Sequence, residues 1–501
     1  MICLPNPHSG FLKMKVELSG REVSVYNGYP LKDKLKALGF RWDVKKGRWW
    51  ITPPPNKREA LQELLDISFE YPLITLSPKR ELLRNYQKTA VDFLHKARYA
   101  LIGDKAGLGK TAETLVYLDE VGYKFVVVCP ASVLYNWEME IRKWTQIDKI
   151  QIVKSKQLLD PQSKAYIVSY DTFRRRVKDF MKQSDIEALV CDESHYLKGE
   201  KSQRTLAVQL FANSLPLKSI VLLSGTPFLN APIELFPQLN ILYPSEFYNY
   251  YDFGIRYSGG HKGYWGWEFK QATNTDELKE RMKSFFLGRT KKAVLKELPP
   301  VEFTYLPIEE ALTEYVQQKK KIREMVDEGR DDLVIRANIF TLRRIVGRIK
   351  IPSVIEVVNN ILPDKVVVFA VHKEVVSALA EAFNCPYVDG SVPPQKRQEI
   401  INKYNESGTV LVISQAMQEG VNLQTASHMV MAERLWNPAK EEQVYSRIHR
   451  MGQQNAVTVW IPILKGTLDE RIHNMLRNKG EQYAKIFDVD KIPTKELLDF
   501  I

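Results

Sequence analysis

Two groups of short, β-branched apolar runs constrain the fold of this chain more than any other feature. The first holds Phe125-Val126-Val127-Val128, Ala165-Tyr166-Ile167-Val168, Ala188-Leu189-Val190-Cys191 and Ile220-Val221-Leu222-Leu223. The second holds Val366-Val367-Val368-Phe369, Val410-Leu411-Val412-Ile413, His428-Met429-Val430-Met431 and Val457-Thr458-Val459-Trp460. Almost none alternates apolar with polar residues, so these strands have no face for water. Helical stretches separate them. A parallel sheet covered by helices on both faces satisfies both observations. The fold class is therefore α/β, with two such lobes over about 76–300 and 350–480. A chain of 501 residues also exceeds what one core sustains.

The remaining segments read differently. Residues 1–75 form a small α+β module. It has an alternating stretch at Glu22–Tyr26, a helix around Lys32 to Leu38, and a strand at Arg48-Trp49-Trp50-Ile51. Pro53-Pro54-Pro55 closes that strand, and a second helix is expected from Asn56, as its N-cap, to Leu65. An aromatic-rich protrusion lies at Tyr243 to Phe269, inside the first lobe. A helical protrusion and linker occupies 301–349, with its charged stretch at Glu309 to Glu328. Residues 481–501 are a C-terminal tail.

The formal charge of +12 permits a polyanionic partner and equally a solvated basic surface. Cys3, Cys129, Cys191 and Cys385 are far apart and lack metal-ligand spacing, so a reduced, intracellular protein without structural zinc is expected. No stretch suits a membrane span or a secretion signal. Compactness favours the cytoplasm or nucleoid of a prokaryote, or a virus-infected cell, over a nucleus.

Chemistry enters at Asp104-Lys105-Ala106-Gly107-Leu108-Gly109-Lys110-Thr111, which follows Tyr99-Ala100-Leu101-Ile102 and precedes a helix-like stretch. A strand–loop–helix of this kind cradles phosphates. Gly107 and Gly109 let backbone N–H groups turn inward at a helix N-terminus, Lys110 reaches the β and γ phosphates, and Thr111 can hold Mg²⁺. Asp104 breaks the strict pattern, which wants glycine there. Asp192-Glu193 ends an apolar run, where a buried strand delivers two carboxylates to the sheet edge. Asp192 suits Mg²⁺ and Glu193 suits an attacking water. The second lobe supplies Gln443, Arg447, His449, Arg450, Gly452 and Gln453. On a helix Arg447 and Arg450 share one face, as a pair reaching a γ-phosphate or as a salt-bridging surface.

These residues resemble the Swi/Snf-type ATPases, helicase-related translocases of double-stranded DNA. The resemblance runs from about Leu82 to Glu470. It rests on Leu83-Arg84-Asn85-Tyr86-Gln87, the loop at 104–111, Pro130 through Asn136-Trp137 to Trp144, Asp192-Glu193-Ser194-His195, Leu223-Ser224-Gly225-Thr226-Pro227 and Gln443 to Gln453. It implies two RecA-like lobes, ATP and Mg²⁺ as cofactors, adenine read by Gln87, and Arg447 and Arg450 as arginine fingers. His195 and Ser224-Gly225-Thr226 would couple the nucleotide to DNA. Aspartate at 104 is the usual form in the family.

Within it the chain is most similar to the HARP-type annealing-helicase branch, through Phe253-Gly254-Ile255-Arg256-Tyr257, Trp265-Gly266-Trp267 and Ala432 to Pro438. The N-terminal module lies where that branch carries a domain recognising DNA structure. Residues 32–48 hold seven basic side chains, including Lys45, Lys46 and Arg48, interleaved or flanked by Trp42, Trp49 and Trp50. Phosphate contact with base stacking and a tryptophan core are both expected there. Two departures stand out. Met417-Gln418 stands where many family members have a glycine pair, a pair the HARP-type branch also lacks, and Ser446 replaces an aspartate, which bears on coupling rather than hydrolysis. The expected function is a monomeric, DNA-stimulated ATPase that moves along duplex DNA without sequence preference and remodels branched or partly unwound DNA, such as forks and single-strand junctions, by annealing and fork regression. The alternatives are a strand-separating helicase, a DNA-bound scaffold using ATP as a switch, and a remodeller of a protein–nucleic acid complex.

Overall fold

The computed structural model describes residues 2–3, 14–69, 74–228, 231–263, 266–415, 422–435 and 438–478. Met417-Gln418, Gly420-Val421, Trp265, Trp436-Asn437 and the tail at 481–501 lie outside them. The chain divides into two compact units, Met1–Lys105 with Gly109–Thr290, and Lys291–Ile501 with Ala106–Leu108.

The first unit is built on a seven-stranded sheet. Its order is Phe286–Leu287, Tyr99–Ile102, Ser219–Leu223, Ala188–Asp192, Phe125–Cys129, Ala165–Ser169, Ile150–Ile152, parallel throughout. Five of these strands, beginning at Tyr99, Phe125, Ala165, Ala188 and Ser219, have almost no residue in contact with water. That burial is what absence of alternation requires. The second unit holds a six-stranded parallel sheet ordered Val301–Ile308, Val457–Leu464, His428–Met431, Val366–Phe369, Val410–Ile413, Tyr387–Val388.

One expectation changes here. Residues 301–308, assigned to a helical linker, form an edge strand of the second sheet, where Phe303 and Tyr305 stay partly exposed beside Tyr445 and His473. The helices follow later, at Thr313–Asp327 and Asp332–Ile349. They pack through Tyr315, Ile322, Ile339 and Leu342 onto Leu464, Leu468 and Ile472.

The N-terminal module is an antiparallel sheet ordered Ile2–Cys3, Lys15–Ser19, Glu22–Tyr26, Arg48–Ile51, Arg41–Asp43, with helices Lys32–Ala37 and Pro55–Leu65. The second helix is capped by Pro54 rather than Asn56. Pro55 takes its first position, where the missing N–H has no helical partner to lose. The module belongs to the first unit and is bound to it by polar bonds. Arg58, 6% exposed, donates to the carbonyls of Lys96 (2.8 Å) and Ala97 (3.0 Å), at the C-terminus of helix Asn85–Ala97. A cation there satisfies carbonyls the helix leaves unbonded. Thr52 N donates to Ser245 Oγ at 2.9 Å, and Arg41 Nε to the Ser245 carbonyl at 3.2 Å. We expect Arg58→Met to keep the packing of the stem, lose both charge-assisted bonds, and cost about 2 kcal/mol. A urea midpoint unchanged from wild type would contradict this.

Candidate nucleotide site

Strand register assembles the site in the first unit. Tyr99–Ile102, Ser219–Leu223 and Ala188–Asp192 are neighbours, and Ile102 pairs with Leu223 while Leu223 pairs with Asp192. Their C-terminal ends therefore deliver the loop at 104–111, the segment 224–226 and the pair Asp192-Glu193 to one sheet edge. Ligands bind outside this edge in open α/β sheets.

The loop enters helix Lys110–Val121. Gly107 and Gly109 have φ of +87° and +90°, the left-handed region that glycine alone enters without strain. Lys110 Nζ donates to the Asp104 carbonyl at 2.7 Å, bridging the loop. Leu108 is fully buried, and Thr111 stands half-buried in the helix's first turn.

Asp104 is fully buried, and Arg289 is its partner. Asp104 Oδ1 accepts from Arg289 N (2.8 Å) and Nε (3.1 Å), and its Oδ2 also accepts from Nε (3.0 Å) and Nη2. The same guanidinium donates to Glu113 (2.9 Å) and the Tyr86 carbonyl, and lies 5.0 Å from the centre of the Tyr86 ring. Glu113 is pushed up to about 8 by burial and then by the Asp104 charge, despite its ion pair. Arg289 is shared, and Asp104 takes most of it. Gln87, 2% exposed, accepts from Arg84 N at 3.0 Å through its side-chain oxygen and so caps the preceding turn.

At the acidic pair, Asp192 Oδ2 accepts from Trp137 Nε1 at 2.8 Å and Oδ1 from Glu193 N at 3.0 Å. The Tyr170 hydroxyl donates to the Asp192 carbonyl at 2.8 Å. Burial, then the Glu193 charge, pushes Asp192 up to about 6. Two crowded carboxylates of this kind are poised for a divalent cation. Mg²⁺ favours one or two carboxylates with substrate phosphates over a closed protein cage, so the donor set fits it. Glu193 adopts φ +49°, uncommon outside glycine, and its Oε2 lies 3.1 Å from His195 Nδ1. That nitrogen is also 3.3 Å from Ser224 Oγ, which accepts from Thr226 N at 3.2 Å. Gly225 lies between them. A contiguous polar path thus joins Glu193 to the 224–226 segment. A second path runs from the Ser194 hydroxyl to Gln238 (2.7 Å) and from Gln238 to the Pro227 carbonyl (2.6 Å).

In the second unit, helix Pro438–Tyr445 stops before the arginines. Arg447 and Arg450 lie in the successive tight turns that follow, not on a helix face. Gln443 is 8% exposed. Buried Gln453 donates to the carbonyls of Gln424, Ala426 and Ile448, which fixes this segment. Ser446 accepts from Lys291 Nζ at 2.8 Å, and His449 Nε2 lies 2.9 Å from the Pro299 carbonyl.

In the module, Trp49 is 6% exposed and packs with Val25, Leu35 and Ile51. Arg48 is 8% exposed, bonded to Ser24 and 2.6 Å from Glu22. Both are buried within the module, Trp49 in its apolar core and Arg48 in a polar pair, so neither presents its side chain on the surface. Lys45 and Lys46 are exposed, on a turn whose N–H groups Asp43 accepts. Sequence reasoning missed Arg289, Trp137 and Tyr170 as site residues. Arg289 lies 185 residues from its partner, and no local pattern reveals that pairing.

Two parallel-sheet lobes, the first with a phosphate loop and an acidic pair at the ends of strands that flank Ser219–Leu223, define a helicase-type α/β core. The SNF2-related domain family matches residues 86–347 and the helicase conserved C-terminal domain matches 349–452. The chain belongs to the SNF2-related family. Among curated relatives, SWI/SNF-related matrix-associated actin-dependent regulator of chromatin subfamily A-like protein 1 of Xenopus tropicalis is 29% identical over 79% of this chain and 44% of its own length. The DNA annealing helicase and endonuclease ZRANB3 of Bos taurus is 28% identical over 80% and 40%. A Caenorhabditis elegans homolog of the first is 31% identical over 81% and 62%. This chain thus spans less than half the length of the first two. A solved SWI2/SNF2 ATPase core from Sulfolobus solfataricus in complex with dsDNA aligns over 86% of this chain and 98% of that one, at 22% identity and a TM-score of 0.40. Among the described residues no helix is long and apolar enough to cross a membrane.

Trp137→Phe keeps the buried ring but leaves Asp192 Oδ2 without its donor. The expected result is a loss of about 1 kcal/mol in stability and a lower ATP turnover, because the bond from the indole helps keep the Asp192 carboxyl ionised. Wild-type turnover in this variant would show the bond to be irrelevant to the site.

Proposed function

We propose that this chain is a DNA-stimulated ATPase that translocates on duplex DNA and remodels branched or partly unwound DNA, with annealing and fork regression as its outputs. The observation that carries the reading is the register of three adjacent strands, which sets a phosphate loop, an acidic pair and a polar coupling path on one edge. The relatives named as annealing helicases support the same direction.

In this reading Gln87 contacts adenine, and the amides of Gly107, Leu108 and Gly109 face the phosphates. Lys110 exchanges the Asp104 carbonyl for the β and γ phosphates. Thr111 and Asp192 would hold Mg²⁺, which would supply charge neutralisation at the phosphates. Glu193 orients and polarises the attacking water. Arg447 and Arg450 supply cationic charge to the transferred phosphoryl group. Arginines in this role contribute about 10³–10⁵ in rate. The path from Glu193 through His195 to Ser224 and Thr226 reports the state of the site to the DNA-facing segment, Gln443 does the same in the second unit, and Lys45 and Lys46 meet phosphates. The partner is DNA contacted through its backbone, and the chain acts as a monomer.

Hydrolysis measured without DNA and with single strand, blunt duplex and fork tests this directly. Faster turnover on duplex and fork is expected, and equal rates under all four conditions would reject a DNA-driven motor. Glu193→Gln is expected to lower kcat by about 10²–10⁴ while nucleotide binding persists. Undiminished turnover in that variant would remove Glu193 from its role.

A further inference from the structure

Aromatic side chains that the nucleotide site does not use gather on the protrusion of the first unit. There helix Tyr250–Ser258 carries a two-stranded ribbon, His261–Gly263 and Gly266–Glu268. Trp267 is 43% exposed and Tyr251 46%, with ring centres 5.7 Å apart. Trp267 lies parallel to Phe269, at 6.1 Å and 5°. Phe269 in turn meets Tyr250 at 5.5 Å, and Tyr250 meets buried Phe236 at 5.4 Å. A Cβ at Gly254 or Gly260 would lie 2.3 or 2.5 Å from the Phe269 ring, so glycine at both positions lets that ring seat closely. The exposed rings are therefore held on a rigid base.

Lys262 stands directly across the ribbon from Trp267, so the two share a face. It is exposed and forms no ion pair among the described residues. Nearby, the Arg41 guanidinium lies 3.6 Å from the centre of the Tyr248 ring, which is 51% exposed. A contact thus joins the N-terminal module to the segment just before helix Tyr250–Ser258.

Rigid, exposed rings beside an unpaired cation suit a partner that offers flat apolar faces and negative charge together. A single strand offers both, flat faces on its unpaired bases and negative charge on its phosphates. Bases inside a duplex have their faces covered by their neighbours, so such a surface distinguishes single strand from duplex without reading sequence. We infer that Tyr251, Trp267 and Lys262 form a stacking platform for unpaired DNA bases at the edge of a duplex. This rests on the DNA-remodelling reading above and adds to it the place where an opened strand is held.

The test uses the full chain, a fluorescein-labelled oligothymidylate, a blunt duplex of equal length, and a single strand carrying 2-aminopurine. Binding by the wild type is expected to quench 2-aminopurine, as stacking on an indole does. Trp267→Ala is expected to remove the quench and to lower the ratio of single-strand to duplex affinity roughly tenfold. Trp267→Phe is expected to restore most of that ratio. Lys262→Glu, a change on an exposed residue, lowers it as well and removes dependence on one variant's folding. An unchanged ratio in Trp267→Ala and Lys262→Glu overturns the inference, as does equal loss on both DNAs. A changed sedimentation coefficient with the ratio intact would assign the patch to self-association, and also overturns it. If duplex stimulates hydrolysis but single strand does not bind, the platform fails and the motor reading stands. If single strand binds and quenches while no DNA stimulates hydrolysis, the platform stands and the motor reading fails.

Discussion

Three parallel strands, Tyr99–Ile102, Ser219–Leu223 and Ala188–Asp192, are locked in register by burial on both faces, and the chemistry depends on that lock. Ile102, Leu223 and Asp192 end level with one another. A slip of one residue in any of them would turn its side chains to the opposite face and displace the loop it carries. Nothing polar positions the site until these strands end. The apolar runs are therefore the reason a phosphate loop and two carboxylates share an edge.

The second dependency is electrostatic. A phosphate loop with aspartate at its first position buries a charge beneath a site meant for anions. Arg289 answers it with several bonds to Asp104 and a further one to Glu113. Arg289 also sits next to Thr290, the last residue of the first unit. The first residue of the phosphate loop, Asp104, is thereby tied to the end of the first unit. Removing one partner would leave an uncompensated charge in the interior, which costs more than a surface pair returns.

The sheets were legible because double burial forces a recognisable composition, and each of the eight apolar runs became a strand. Strands of two or three residues, such as Phe286–Leu287, Ile150–Ile152 and Tyr387–Val388, were not, since they are too short to carry a pattern. Residues 301–308 escaped because an edge strand keeps one side exposed and borrows its order from Val457–Leu464. Arg447 and Arg450 share no helix face because the helix stops at Tyr445 and buried Gln453 pins the turns beyond it. In the module, residue type alone did not separate buried Trp49 from exposed Trp42, whose rings are 5.4 Å apart. The loop and the acidic pair were readable because their chemistry is local. Arg289 and Trp137 were not, because their partners are distant in sequence.

Displacement of a third strand from a DNA triplex measures movement along duplex without requiring strand separation. The account predicts that the wild-type chain displaces the third strand only when ATP is hydrolysed, leaves the underlying blunt duplex paired, and loses displacement in Lys110→Ala. Displacement that persists in Lys110→Ala, or its absence from a wild type that hydrolyses ATP on duplex, would contradict translocation as the output of this site.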